Sequence, residues 1–289
     1  EDFLELFTTA MVAYIFVQLG VVRERVALLV IFLDIILYSA GGVIGTMHHL
    51  YFSGTPVEHM ALGAFFSAAE VIPLTFLTVE AWAFLQLGAR QEAGEQNNFP
   101  ARWAVMFLVA VGFWNFLGAG IFGFLINLPV VSYYEIGTAL TANHAHAAMF
   151  GVYGMLAVAL AMFAFRYVIP AEKWPNKLAR ISFWGMNIGL AWMVFVTLLP
   201  LGVLQLFHSV NAGYFEARSL GYITQPGNAL LEWLRLPGDA ILILAGVVPF
   251  VWIALIALRN FRSGETVDEL PENPLYVEVP ASSAAASKD

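Results

Sequence analysis

The chain has 289 residues, of which 60% are hydrophobic and 12% charged, and it contains no cysteine. A soluble domain carries roughly 25% charged residues, so this composition excludes an ordinary water-soluble globule. The missing cysteine excludes disulfides, thiolate metal ligands and C-x-x-C-H haem attachment, and the net charge of −8 says little about partners, since the charge sits in the loops and the tail; no nucleic-acid partner is expected.

The apolar residues fall in long blocks. Crossing a hydrocarbon core takes about 20 apolar residues, and a spanning helix satisfies its own backbone. The fold class expected is an all-α, polytopic transmembrane helix bundle with about seven spans, near 4–20, 27–50, 60–87, 103–127, 138–167, 180–207 and 238–258. Glu1 and Glu5 open the first span, one helical turn apart. The second holds Asp34 and the pair Gly41 and Gly45, whose spacing suits close helix approach, and it ends on His48-His49. His59 precedes the third span, which contains Glu70 and Glu80. The fifth carries His144 and His146 in TANHAHAAMF, and His208 ends the sixth. Asp239 stands at the outer end of the seventh. Residues 1–262 read as one membrane region and 263–289 as an acidic disordered tail. The abrupt start at EDFLELF suggests part of a longer protein.

Basic residues set the orientation. Arg23, Arg25, Arg90, Arg102, Arg166, Lys173, Lys177, Arg180, Arg259, Arg262 and Lys288 fall on one side, and Arg218 and Arg235 on the other. The richer side is cytoplasmic by the positive-inside rule. The C-terminus is then cytoplasmic, and all six histidines lie toward the outer face.

A helix turns about 100° per residue, so His144 and His146 point roughly 200° apart. They cannot easily share one ion, but each can serve a separate centre, and haem iron takes an axial imidazole. Interhelical hydrogen bonding is the plainer alternative. Ala142, Ala145, Ala147, Ala148 and Gly151 leave room for macrocycles. His48 and His49 diverge less and can reach one metal, with Zn, Cu, Fe and Ni all suited to imidazole, or they are a simple cap. Glu70 lies deep in its span, where a carboxylate is functional by default. Asp239 alone reads as a helix N-terminal acid favoured by the dipole.

HH at 48–49, Glu70 and N-H-A-H-A around 144–146 together resemble the nitric oxide reductase branch of the haem–copper oxidase superfamily, over the whole seven-span region. The likeness is nearest to the single-chain, quinol-dependent reductases, and to the C-terminal half of their catalytic region. The resemblance implies that His48, His49 and Glu1 bind a non-haem iron, FeB. It implies that His144 is the proximal ligand of high-spin haem b3 and His146 a ligand of low-spin haem b. It makes Glu1, Glu5 and Glu70 the acids of the catalytic site and Asp239 a quinol-headgroup residue. A calcium ion bridging the haem propionates belongs to the same pattern. The first FeB histidine and the second axial ligand of haem b are not in this chain, so the N-terminal half of the same protein is the expected partner, alongside nitric oxide, quinol, membrane lipid and a second copy in a homodimer.

The activity so implied is reduction of two nitric oxide molecules, with two electrons from quinol and two protons, to nitrous oxide and water in a bacterial or archaeal cytoplasmic membrane. A cytochrome c-dependent reductase subunit and an oxygen-reducing haem–copper oxidase are the related alternatives. A cofactor-free transporter or assembly subunit is the alternative of a different class.

Overall fold

The computed structural model describes residues 2–18, 22–44, 48, 50–69, 71–73, 75, 76, 78, 79, 82 and 102–264. The described residues are helical with short connections and no strand. We label the helices α1 (Asp2–Gln18), α2 (Glu24–Ile44), α3 (Val57–Ala69), α4 (Arg102–Ile126), α5 (Pro129–Glu135), α6 (Ala139–Phe165), α7 (Asn176–Ala212) and α8 (Pro226–Ser263).

Four of these, α4, α6, α7 and α8, are long and apolar enough to cross a membrane. The seven expected spans therefore reduce to four among the described residues. α1 carries only the shorter apolar stretch Leu6–Val17. α2 follows the second expected span closely, but the third is described only in part. Phe195 on α7 and Leu244, Val251, Trp252 and Phe261 on α8 face outward. In water this surface would aggregate; against lipid it is the solvated face.

The core lies where α4, α6, α7 and α8 meet. Trp114, Phe107, Leu108, Met155, Met162, Met186, Leu190 and Ile253 are its fully buried large side chains. Antiparallel α7 and α8 approach through glycine. A Cβ placed on Gly185 would lie 2.2 Å from the Ala245 carbonyl carbon, and one on Gly189 would lie 2.6 Å from the Leu242 Cβ. Small-x-x-x-small spacing permits this backbone contact, and the buried Ser182 hydroxyl donates to the Gly246 carbonyl at 2.7 Å. Trp114 ties α4 to α7 by donating Nε1–H to the Asn187 side-chain oxygen at 3.0 Å.

Each of the four long helices contains one widened π-type segment: Asn115–Phe122, Met149–Gly154, Met193–Leu198 and Leu242–Val247. Such turns insert a residue into the helical register and often mark functional positions. In α7 the Thr197 hydroxyl donates to the Met193 carbonyl at 2.7 Å within the widened turn. Hydrophobic periodicity at 3.6 residues carries no signature of these segments.

Two connections differ from expectation. The stretch 129–135 forms α5, with Pro129 at its first turn, where the missing amide costs nothing. The long outer loop expected over 208–237 is largely helical. α7 runs on to Ala212, a short turn covers Glu216–Arg218, Leu220–Ile223 is helical, and α8 begins at Pro226 rather than near 238.

Candidate functional site

α6 carries both predicted imidazoles, and its start is built by side chains. The Thr138 hydroxyl accepts from the Leu140 amide at 3.2 Å, a helix N-cap. The Gln205 side-chain oxygen of α7 accepts from the Ala139 amide at 2.7 Å. Gly137, at φ +77°, makes the sharp entry from α5, in a region where glycine carries no Cβ penalty.

His144 faces α4. Its Nδ1 lies 2.8 Å from the Gly118 carbonyl, which the widened Asn115–Phe122 segment presents to it. Its ring rests against Gly123, where an added Cβ would stand 2.9 Å from Cε1. His146 turns elsewhere, with Nδ1 2.8 Å from the Ala142 carbonyl on its own helix. A carbonyl oxygen only accepts, so Nδ1 carries the proton in each ring. In a neutral imidazole the lone pair is then at Nε2, the arrangement seen in most metal-bound histidines. The donor chemistry of both side chains therefore fits axial ligation of a haem. Two of the small residues of α6 pack on α4: Ala147 fills the contact with Gly118, and Gly151 packs on Trp114, each at 2.6 Å from a hypothetical Cβ.

The other predicted residues are described only in part. His48 is half-buried in a turn after α2. Glu1, Gly45, His49 and Glu70 lie outside the described residues, while Glu5 on α1 and Gly41 on α2 are placed by their backbone only. Among the described residues no three His, Cys, Asp or Glu side chains come together as a metal site. Asp239 is on α8, several turns past its start, beside Gly238, which packs on Trp192 of α7. Its carboxylate pairs with Arg235 one turn earlier, at 3.1 Å. α8 starts earlier than the apolar run does, so Asp239 is not the helix N-terminal acid that its place before that run suggested.

Several polar residues that the sequence did not single out surround α6. Asn143, beside His144, is 1% exposed. Its side-chain oxygen, and that of buried Asn115 in the widened turn of α4, have no hydrogen-bond partner among the described residues, and a buried orphan acceptor calls for a ligand or water. At the outer end, Arg218 clamps the α5–α6 connection. Its guanidinium donates to the carbonyls of Tyr134 at 3.0 Å, Tyr214 at 2.6 Å and Ile136, and lies 3.6 Å over the Tyr214 ring. Beneath it, Glu135 is 2% exposed and accepts from the Thr141 hydroxyl of α6 at 3.0 Å. Burial raises its pKa to about 7, against the opposing pull of the Thr141 bond and Arg218. His208 is stacked on Tyr222 at 3.9 Å between ring centres and takes no part in this cluster.

Comparison with known proteins bears on this geometry. The family described as Cytochrome C and Quinol oxidase polypeptide I matches residues 2–241. The chain is also similar to a nitric oxide reductase subunit of Stutzerimonas stutzeri, at 30% identity over 287 residues, covering 97% of this chain and 55% of that protein. The chain thus spans about half the length of the curated relative it matches.

Proposed function

Because the chain belongs to the Cytochrome C and Quinol oxidase polypeptide I family, we propose that it forms the C-terminal half of a membrane nitric oxide reductase, receiving electrons from quinol. The observation that carries this reading is the pair of imidazoles on α6, each anchored through Nδ1 to a backbone carbonyl with Nε2 left for a ligand. The similarity to a nitric oxide reductase subunit favours nitric oxide over dioxygen as the molecule reduced.

In this reading His144 holds haem b3 and His146 holds haem b. His48, His49 and Glu1 contribute to a non-haem iron, with the remaining ligands coming from the N-terminal half of the protein. When bound, the irons supply electron transfer and nitric oxide binding. The chain's residues set the ligand orientation and the proton supply. Gly118 and Ala142 fix the imidazole protons at Nδ1. Gly123 gives the His144 ring its space. Glu5 and Glu70 hold protons near the reacting oxygen, and the Arg235–Asp239 pair receives the quinol headgroup. A calcium ion at the haem propionates would add to the outer edge of the same site. With the C-terminus cytoplasmic, that edge faces outward, and protons enter from there.

The test is nitrous oxide formation by the full-length purified protein supplied with quinol and nitric oxide. Turnover with quinol supports the reading in full. Turnover with reduced cytochrome c alone would keep the reductase and replace the donor. Oxygen reduction with copper present would replace nitric oxide as substrate.

A further inference from the structure

A cavity of about 520 Å³ opens beside α4, between α7, the end of α1 and the stretch after α3 that holds Val79 and Trp82. Its floor is made by Phe16, Leu108 and Phe183, all buried, and its rim by Val79, Trp82, Phe113 and Trp184, each half-exposed or more. Voids of this size are rare inside packed protein, and the volume is that of a ligand pocket. Thr75 and Asn187, polar members of the wall, spend bonds on the protein. The Thr75 hydroxyl donates to the Val71 carbonyl at 2.6 Å. The Asn187 side chain donates to the Phe183 carbonyl at 2.9 Å and accepts from Trp114. The surface left to a ligand is almost wholly apolar, and its rim is continuous with the outward apolar face that a bilayer covers.

Positive charge stands at one end of this cavity. Trp103 and Phe107 of α4 both touch the Phe183 ring of α7, at 5.6 and 5.3 Å between ring centres. Arg102, next to Trp103, and Arg180, one turn before Phe183, therefore come to the same end. On α4, Arg102, Val109, Phe113 and Phe116 share one helical face by their spacing of three, four and seven. On α7, Lys177, Arg180 and Trp184 do the same, and all three are exposed. In both stripes the basic residues come first and the cavity-lining residues follow. The Arg102 guanidinium lies 5.6 Å over the Trp103 ring. The side chains of Lys177 and Arg180 make no hydrogen bond or ion pair among the described residues. From Leu108 to Phe116 the lining covers about 12 Å of helix, which fits within the roughly 15 Å of one leaflet.

We propose that this face binds one anionic phospholipid from the leaflet on the Arg102 side. An acyl chain lies in the cavity along Phe113 and Trp184, and Arg102 and Arg180, with Lys177 beside them, hold the phosphate. Guanidinium groups match phosphate oxygens with paired hydrogen bonds, and basic pockets between spanning helices select lipid headgroups in this way. The nearly unbroken hydrocarbon wall favours an acyl chain over a ligand with a polar ring. In the proposed orientation the leaflet is the cytoplasmic one. The site itself is independent of which molecule the protein reduces.

The test is photolabelling of the full-length holoprotein in phosphatidylcholine bilayers that carry a minor share of phosphatidylglycerol with a diazirine in its acyl chain. Labelled residues are mapped by mass spectrometry, and the same probe built on phosphatidylcholine is the control. We expect the phosphatidylglycerol probe to label Phe113, Phe116 and Trp184 above the α8 face of Val251 and Trp252, and the control to show no such preference. Arg102→Gln with Arg180→Gln should lower the preference by about fivefold for each charge lost. Val109→Trp, which fills the cavity, should lower it with both charges in place. Both variants should elute as the wild type does on size-exclusion chromatography. Equal labelling by the two headgroups in the wild type would overturn the proposal and leave an ordinary lipid annulus. Labelling of α8 with none at Phe113 and Trp184 would also overturn it, by showing that the N-terminal half or a second copy covers the cavity. A phosphatidylglycerol preference that survives the double glutamine change would overturn the role of the two arginines. The wild-type comparison needs neither variant nor turnover, so it stands or falls apart from the nitric oxide reading.

Discussion

At the scale of residues, the anchored Nδ1 atoms of His144 and His146 give separate consequences. The two rings bond to carbonyls of different helices; in the proposed reading they serve separate centres, and each is expected to be replaceable without the other. Replacing His146 with Ala should remove one of two b-type haems and leave the other's spectrum in place; His144→Ala should do the converse. Pyridine haemochrome analysis of each variant checks this, and loss of both haems from either change would refute independence. Glu135 adds a pH dependence of stability. Its folded pKa is raised from 4.5 to about 7, so the folded state binds the proton more tightly than the unfolded chain. That contribution is complete below about 4.5 and is lost as pH rises through about 7. The melting temperature in detergent should therefore decline across that interval, and Glu135→Gln should flatten the decline.

At the scale of elements, α7 and α8 depend on glycine at their contact. A leucine at Gly185 would drive its Cβ into the Ala245 backbone, 2.2 Å away, and backbone cannot rotate aside as a side chain can. Overpacking of this kind costs about 1–3 kcal/mol or more, so Gly185→Leu should unfold at lower denaturant than wild type, while Gly227→Leu, with open space around it, should not. The Gly185-x-x-x-Gly189 spacing is present in the sequence, as it is at Gly41 and Gly45, and spacing alone does not say which pair meets a neighbouring helix. The ends of α6 were legible because polar residues and Arg166 bound a continuous apolar run. The start of α8 was not, since Pro226–Arg235 mixes polar with apolar residues and reads like a loop until Tyr222, Asn228 and Trp192 secure it. Asn228 donates to the Tyr222 carbonyl at 2.8 Å, and Trp192 donates to that of Leu234 at 2.7 Å. The widened turns were illegible because no residue pattern marks them; two of the four hold a glycine, Gly118 and Gly246, packed against a neighbouring helix.

At the scale of the whole molecule, the membrane character was plain from composition, and the family from the resemblance carried by HH at 48–49, Glu70 and H-x-H at 144–146. Glu135 was not, because its burial depends on Arg218, a distant residue that folds back over the α5–α6 connection. In the proposed orientation Glu135, Thr141 and the clamp lie at the outer end of the bundle, away from Arg166, Lys177 and Arg262. Proton uptake during turnover in sealed vesicles should then come from the outer side, with little charge moved across the membrane; a pH rise confined to the cytoplasmic side would contradict that orientation of the proton path. The most direct test of the central claim is metal and haem analysis of the intact purified protein, read with its reduced-minus-oxidised spectrum. Two b-type haems and one non-haem iron, with no copper, are the predicted result. Copper in place of the non-haem iron, or a folded intact protein without haem, would contradict it.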